Sequence, residues 1–170
     1  MNKAIFLDRD GVINEVLSER VRFVNKPEDF YLLPGVADAI AILRKLGYLI
    51  FVVTNQGGIG CGFMDEKSLH AIHQKMREVL LKENEQALID DIRFCPHHPK
   101  AGCDCRKPQP KMILDLAEKY QVDVKQSFMV GDREPDIIAG RKAGCMAVLL
   151  GKTDGYGLID FARELEALEG

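Results

Sequence analysis

The chain has 170 residues, enough to bury a core without disulfide staples, and a single domain over residues 1–170 is expected. Its net charge of -3 and pI near 5.8 argue against a sequence-independent grip on nucleic acid. With 46% apolar and 29% charged residues it reads as a soluble globular chain, and no apolar run approaches the ~20 residues of a membrane span.

In chain order, Ala4-Ile5-Phe6-Leu7 is a short continuous apolar run that predicts a first strand, ending at Asp8-Arg9-Asp10-Gly11. It carries no basic n-region or cleavage site ahead of it, which predicts a cytoplasmic protein. Val36, Ile40, Leu43 and Leu46 form a helical stripe opened by Pro34 and closed by Gly47. Tyr48 to Val53 predicts a second strand that leads into Thr54-Asn55-Gln56. Leu69, Ile72, Met76, Val79 and Leu80 predict a helix capped by Asp65, with His70 and His73 at solvated positions. Ile92 and Phe94 alternate with polar neighbours as in a strand, and residues 95 to 110 fit no regular element. Ile113, Leu116, Ala117 and Tyr120 follow Pro110 at helical spacing. Ser127 to Val130 is a strand before Gly131-Asp132, a short helix runs from Pro135 to Ala143, and Met146 to Leu150 closes the strand set. Leu158, Phe161, Ala162, Leu165 and Leu168 predict a closing helix. Strands alternating with helices imply right-handed crossovers and an α/β fold: a doubly wound, mostly parallel, Rossmann-like sheet covered on both faces.

In such a sheet ligands bind beyond the carboxyl ends of the strands. Asp8 and Asp10, Thr54-Asn55-Gln56 and Asp132 all fall at predicted strand ends, and Lys107 precedes a helix. Side chains two apart on an extended strand share a side, so Asp8 and Asp10 can approach one ligand. With Asp132 they supply hard oxygen ligands suited to Mg²⁺. The pair could also serve only as turn formers before Gly11; the matching places of Thr54, Lys107 and Asp132 favour a site. Arg9 is expected to face outward, opposite the two carboxylates.

The five cysteines are an odd number, as in a reducing compartment, and three of them cluster. Cys95, His97, Cys103 and Cys105 make a Cys₃His set able to close a tetrahedral Zn²⁺ site with no open position, hence a structural one. His98 competes with His97, and Cys103 with Cys105 could instead be a reactive dithiol. A metal here would fold a segment, about 95–107, that cannot build its own core, and would fix Arg106 and Lys107 at the crevice. Cys61 reads as a loop thiol and Cys145 as a buried strand residue.

Four stretches together resemble the haloacid dehalogenase superfamily of phosphatases. They are Phe6-Leu7-Asp8-Arg9-Asp10-Gly11, Val52-Val53-Thr54, Lys107 ahead of a helix, and Gly131-Asp132-Arg133-Glu134-Pro135-Asp136. Cys95-Pro96-His97-His98-Pro99 and Cys103-Asp104-Cys105-Arg106-Lys107-Pro108 are similar to the branch holding heptose-bisphosphate and histidinol-phosphate phosphatases, closest to the former. Met64-Asp65-Glu66-Lys67-Ser68 stands where the histidinol enzymes carry Phe-Asp-Gly-Pro-His.

The resemblance implies a Mg²⁺-dependent phosphatase that removes the 7-phosphate of a heptose 1,7-bisphosphate through an aspartyl phosphate. Asp8 is then the nucleophile and Asp10 the acid and base. Mg²⁺ is held by Asp8, Asp132 and the Asp10 backbone carbonyl. Thr54 and Lys107 bind the phosphoryl oxygens, and Asn55, Gln56, Arg106 and Arg133 meet the substrate. The carboxylate next to Asp10 favours its keeping a proton, and the cation acts the other way. Asp136 either orients Lys107 or the metal shell, or caps a helix. The partner implied is a small phosphorylated sugar, with no nucleic acid or membrane, and the chain is expected to be a monomer without a large cap domain. One departure is Arg20-Val21-Arg22-Phe23-Val24, where the heptose enzymes often carry Gly-Tyr-Val against the sugar. A receiver-type phosphoacceptor domain also combines acids, a Thr and a Lys, but accepts phosphate after its third strand and has no zinc loop.

Overall fold

Unbroken apolar runs need cover on both faces, and that requirement sets the architecture. In the computed structural model, which describes residues 1–151 and 155–170, five strands form one parallel sheet. They are β1 (Lys3–Leu7), β2 (Tyr48–Asn55), β3 (Asp91–Cys95), β4 (Phe128–Gly131) and β5 (Met146–Leu149), in the order β3-β2-β1-β4-β5. Central β1 shows why the run is continuous. Ile5 and Leu7 enter one apolar cluster while Ala4 and Phe6 enter the other, and all four are fully buried.

The helices are α1 (Val36–Lys45), α2 (Glu66–Glu83), α3 (Lys111–Tyr120), α4 (Glu134–Ala143) and α5 (Leu158–Glu169). Apolar stripes of α1, α2 and α5 cover the face that holds Ile5, and those of α3 and α4 cover the face that holds Phe6. Asp65 caps α2 by accepting from the Ser68 N–H at 2.7 Å, as its position predicts. The strand order reverses between β1 and β4, so the crevice at their carboxyl ends is the switch point where this architecture binds ligands. The two long connections, residues 8–35 and 96–110, leave from carboxyl ends of the sheet, and the described residues contain no separate cap domain. Among the described residues no helix is long and apolar enough to cross a membrane.

Three expectations change. Cys145 is buried but lies just ahead of β5 rather than in it. β5 is an outer strand, so Met146 and Leu149 stay exposed despite the apolar run. His73 is not solvated: it shares the buried face of α2 with Leu69, Ile72 and Met76.

α4 approaches the sheet closely because residue 140 is glycine. A Cβ there would lie 2.5 Å from Met129 Cβ and 3.7 Å from Ala147 Cβ. Gly140→Ala is expected to destabilise the fold by about 1–3 kcal/mol through overpacking, outweighing the better helix propensity of alanine. The shift of the urea midpoint reads it, and an unchanged or raised midpoint would contradict the close packing.

Candidate active site

Lys107 organises the crevice. It sits in the connection between β3 and α3 and is 4% exposed. Its Nζ donates to Asp8 Oδ1 at 2.7 Å, to the Val53 carbonyl at 2.8 Å and to Asp136 Oδ1 at 2.7 Å. An ammonium has three protons, and all three are used. Burial alone would lower the Lys107 pKa, but the two carboxylates outweigh it and raise it, so the cation is secure. Asp8 moves the other way from an ordinary carboxylate. Burial raises its pKa, Lys107 opposes, and Asp136 and Asp10 add to the rise, leaving it well above the usual range.

Asp136 fills both roles open to it. One oxygen holds Lys107, and the other accepts from the Arg133 backbone N–H at 3.3 Å, at the start of α4. The glycine of Gly131-Asp132 makes room for this, since a Cβ on Gly131 would overlap the Asp136 side chain.

Asp8, Asp132 and Asp136 bring carboxylate oxygens within 4.8 Å of one another. Three acids against one ammonium leave surplus negative charge and hard oxygen donors, a set that fits Mg²⁺. Gly11 completes the cradle: its φ is +85°, and a Cβ would run into the Asp132 carboxylate. The Asp10 carboxylate stands outside this trio, so any share of Asp10 in a metal site falls to its backbone carbonyl.

Instead the Asp10 side chain is anchored from the other side. Its Oδ1 accepts from Arg9 Nε at 3.0 Å, Arg9 Nη2 at 2.8 Å and Asn14 Nδ2 at 3.0 Å. Among the described residues its Oδ2 takes only the Gln56 amide, at 3.4 Å. Burial would raise the Asp10 pKa, but the Arg9 charge and the bonds from Asn14, Arg9 and Gln56 win and hold it below the usual range. Its neighbouring carboxylate therefore does not keep it protonated. Arg9, expected to face outward, is fully buried, because Asp10 and His73 supply the acceptors its guanidinium needs.

The residues expected at the substrate divide. Thr54 is buried, and its Oγ1 accepts from Gln56 Nε2 at 2.8 Å, so Gln56 ties Thr54 to Asp10. Asn55 is committed elsewhere. Its amide donates to the Lys107 carbonyl at 3.1 Å and accepts from the Lys107 N–H at 2.9 Å, a reciprocal pair that clamps the Lys107 backbone. Arg106 is half-buried beside Lys107, in a cleft of about 220 Å³ that also includes Pro99 and Gln109. Arg133 is exposed next to Asp132.

The cysteine loop assembles a second cluster. Cys95 Sγ lies 3.4 Å from His97 Nδ1 and 3.5 Å from Cys103 Sγ, and His97 Nδ1 lies 3.2 Å from Cys105 Sγ. These separations match the edges of a tetrahedron with bonds of about 2.0–2.3 Å, the lengths of zinc to His and Cys. His98 is drawn away, its Nδ1 accepting from the Lys100 N–H at 3.0 Å. Gly60 lets the loop after β2 nest on this segment: its N–H donates to the Pro96 carbonyl at 2.8 Å, and a Cβ there would strike the His98 backbone.

Arg9 and Asn14 bond to Asp10, and His73 bonds to Arg9; none of the three was among the expected site residues. His73 was findable, since it stands four residues after Leu69 on the apolar stripe.

A family model described as HAD-hydrolase-like matches residues 104–158. D-glycero-beta-D-manno-heptose-1,7-bisphosphate 7-phosphatase of Helicobacter pylori is 42% identical, over 84% of this chain and 79% of that protein. D-glycero-alpha-D-manno-heptose-1,7-bisphosphate 7-phosphatase of Photorhabdus laumondii is 39% identical, over 89% of this chain and 83% of that protein. The crystal structure of D,D-heptose 1,7-bisphosphate phosphatase from B. bronchiseptica, complexed with magnesium and phosphate, superposes with a TM-score of 0.87 at 36% identity. That match covers 98% of this chain and 99% of the other. The switch-point acids, the central lysine and these relatives place the chain in the heptose-1,7-bisphosphate phosphatase family of the haloacid dehalogenase-like hydrolases.

Proposed function

We propose that this chain hydrolyses the 7-phosphate of D-glycero-D-manno-heptose 1,7-bisphosphate, as a single-domain cytoplasmic monomer that uses Mg²⁺ and carries a structural Zn²⁺. The observation that carries this reading is the convergence of Asp8, Lys107 and Asp132 on one crevice, with Thr54 near the end of β2 joined to Asp10 through Gln56. Its support for a sugar bisphosphate comes from relatives of both anomeric kinds and from Arg106 and Arg133, which adjoin Lys107 and Asp132 in the chain.

Asp8 acts first. One carboxylate oxygen is held by Lys107, and the other attacks phosphorus. A P–O bond forms to Asp8 and the bond to the sugar oxygen breaks. That oxygen leaves with its electron pair and takes a proton from Asp10 Oδ2, the oxygen with the weaker anchoring. Arg9 keeps resting Asp10 ionised, so the proton arrives with substrate bound as the phosphate monoanion, whose second pKa is about 6. In the second half, water attacks the phosphorus of the aspartyl phosphate, Asp10 takes the water proton, and Asp8 is released.

Asp8, Asp132 and the Asp10 carbonyl would hold Mg²⁺, which when bound offsets charge on the phosphoryl oxygens. Thr54 Oγ1 already accepts from Gln56, which leaves its own proton to donate to a phosphoryl oxygen. As Asp8 is esterified it loses charge, and the Lys107 proton it held turns to a phosphoryl oxygen. Arg106 and Arg133 take the second phosphate, which arginine can bind bidentately. Cys95, His97, Cys103 and Cys105 would hold Zn²⁺, which when bound would stiffen the loop that delivers Arg106 and Lys107.

Substrate choice is read as kcat/KM with Mg²⁺ across both anomers of heptose 1,7-bisphosphate, histidinol phosphate and common sugar monophosphates. A heptose bisphosphate should lead by about tenfold or more; a preference for histidinol phosphate would overturn the assignment. Metal analysis should find about one zinc per chain, lost with loop order and activity in Cys103→Ser. A zinc-free chain of full activity would contradict the structural role.

A further inference from the structure

Arg9 is a guanidinium with no exposed surface. It cannot shed its charge, so its burial stands only if its donors are met. Nε and Nη2 both go to one oxygen, Asp10 Oδ1. Nη1 reaches in another direction, to Nε2 of His73 on α2 at 3.1 Å. Arginine has no acceptor, so Nε2 carries the lone pair and the imidazole proton sits on Nδ1. The ring is neutral: burial, with the Arg9 charge beside it, pushes its pKa down to about 3. The apolar neighbours of His73 on α2, Ile72 and Met76, give no reason for a polar residue there. Arg9 does.

The two oxygens of Asp10 are unequal. Among the described residues Oδ1 takes three donors, two from Arg9 and one from Asn14, whereas Oδ2 has a single long contact from Gln56. Which oxygen is anchored depends on the plane of the guanidinium, and the third point fixing that plane is His73.

We propose that His73 is a positioning residue for proton delivery, acting through Arg9 to keep Asp10 Oδ1 anchored and Oδ2 turned to the leaving oxygen. A helix outside the four phosphatase motifs thereby sets the acid. The inference rests on Asp10 being the acid of the reaction proposed above.

A sugar alkoxide needs a proton as it leaves, and a nitrophenolate hardly does, so the two leaving groups separate proton delivery from every other contribution. kcat/KM covers binding and transfer to Asp8 only, so the shared hydrolysis of the aspartyl phosphate does not mask the difference. His73→Leu should lower kcat/KM for heptose bisphosphate by about tenfold or more, part of what a general acid supplies. It should change kcat/KM for 4-nitrophenyl phosphate by less than about twofold. His73→Gln, whose amide oxygen can reach the place of Nε2, should keep sugar-phosphate activity within about threefold of wild type. Equal losses on both substrates, no loss on either, or failure of glutamine to rescue would overturn the role. If His73→Leu does not fold, His73→Asn, whose acceptor stops short of Arg9, takes its place with the same expectations. Wild-type turnover of the sugar phosphate tests the phosphatase reading by itself: its absence refutes that reading and the positioning role with it.

Discussion

The Lys107 ammonium, with one proton each for Asp8, the Val53 carbonyl and Asp136, is the constraint on which the crevice depends. Those acceptors come from the end of β1, from β2 and from α4, so one cation ties together segments that the sheet only brings near. Removing one partner of a buried ion pair costs about 3–5 kcal/mol, so the arrangement is stiff. The lysine itself hangs from a connection without regular structure. Its backbone is clamped by the Asn55 amide, and the cluster of Cys95, His97, Cys103 and Cys105 sits just before it.

Asp8 and Asp10 are two residues apart and have opposite electrostatics. Burial and Asp136 push Asp8 up, against Lys107, whereas Arg9 and its companions pull Asp10 down against burial. Environments that drive two carboxyl groups apart are how one site assigns them different tasks. Here the separation comes from two cations on different elements. Lys107 holds Asp8, the proposed nucleophile, and Arg9 holds Asp10, the proposed acid. The direction for Asp10 is the reverse of what two adjacent carboxylates suggest, because a cation in contact outweighs a like charge farther off.

Much of this was legible along the chain. The continuous run Ala4 to Leu7 announced a strand covered on both faces, Asp65 marked the start of α2, and the spacing of Cys95, His97, Cys103 and Cys105 announced a cluster. Local pattern carries such features because neighbours in sequence make them. Arg9 and His73 were misread because their environment is made by residues 64 positions apart, and no local pattern reports such a contact. Asn55 was expected at the substrate from the resemblance; only the folded loop reveals that the Lys107 backbone occupies it. β5 reads as buried from composition, and its place at the sheet edge is a property of topology.

The central step of the proposed reaction is covalent phosphorylation of Asp8. Rapid quenching of turnover into borohydride reduces an acyl phosphate to an alcohol, so peptide mass spectrometry should find homoserine at position 8 and at no other aspartate. An enzyme that turns over substrate at full rate with position 8 unmodified, or with the label on Asp10 or Asp132, would contradict it.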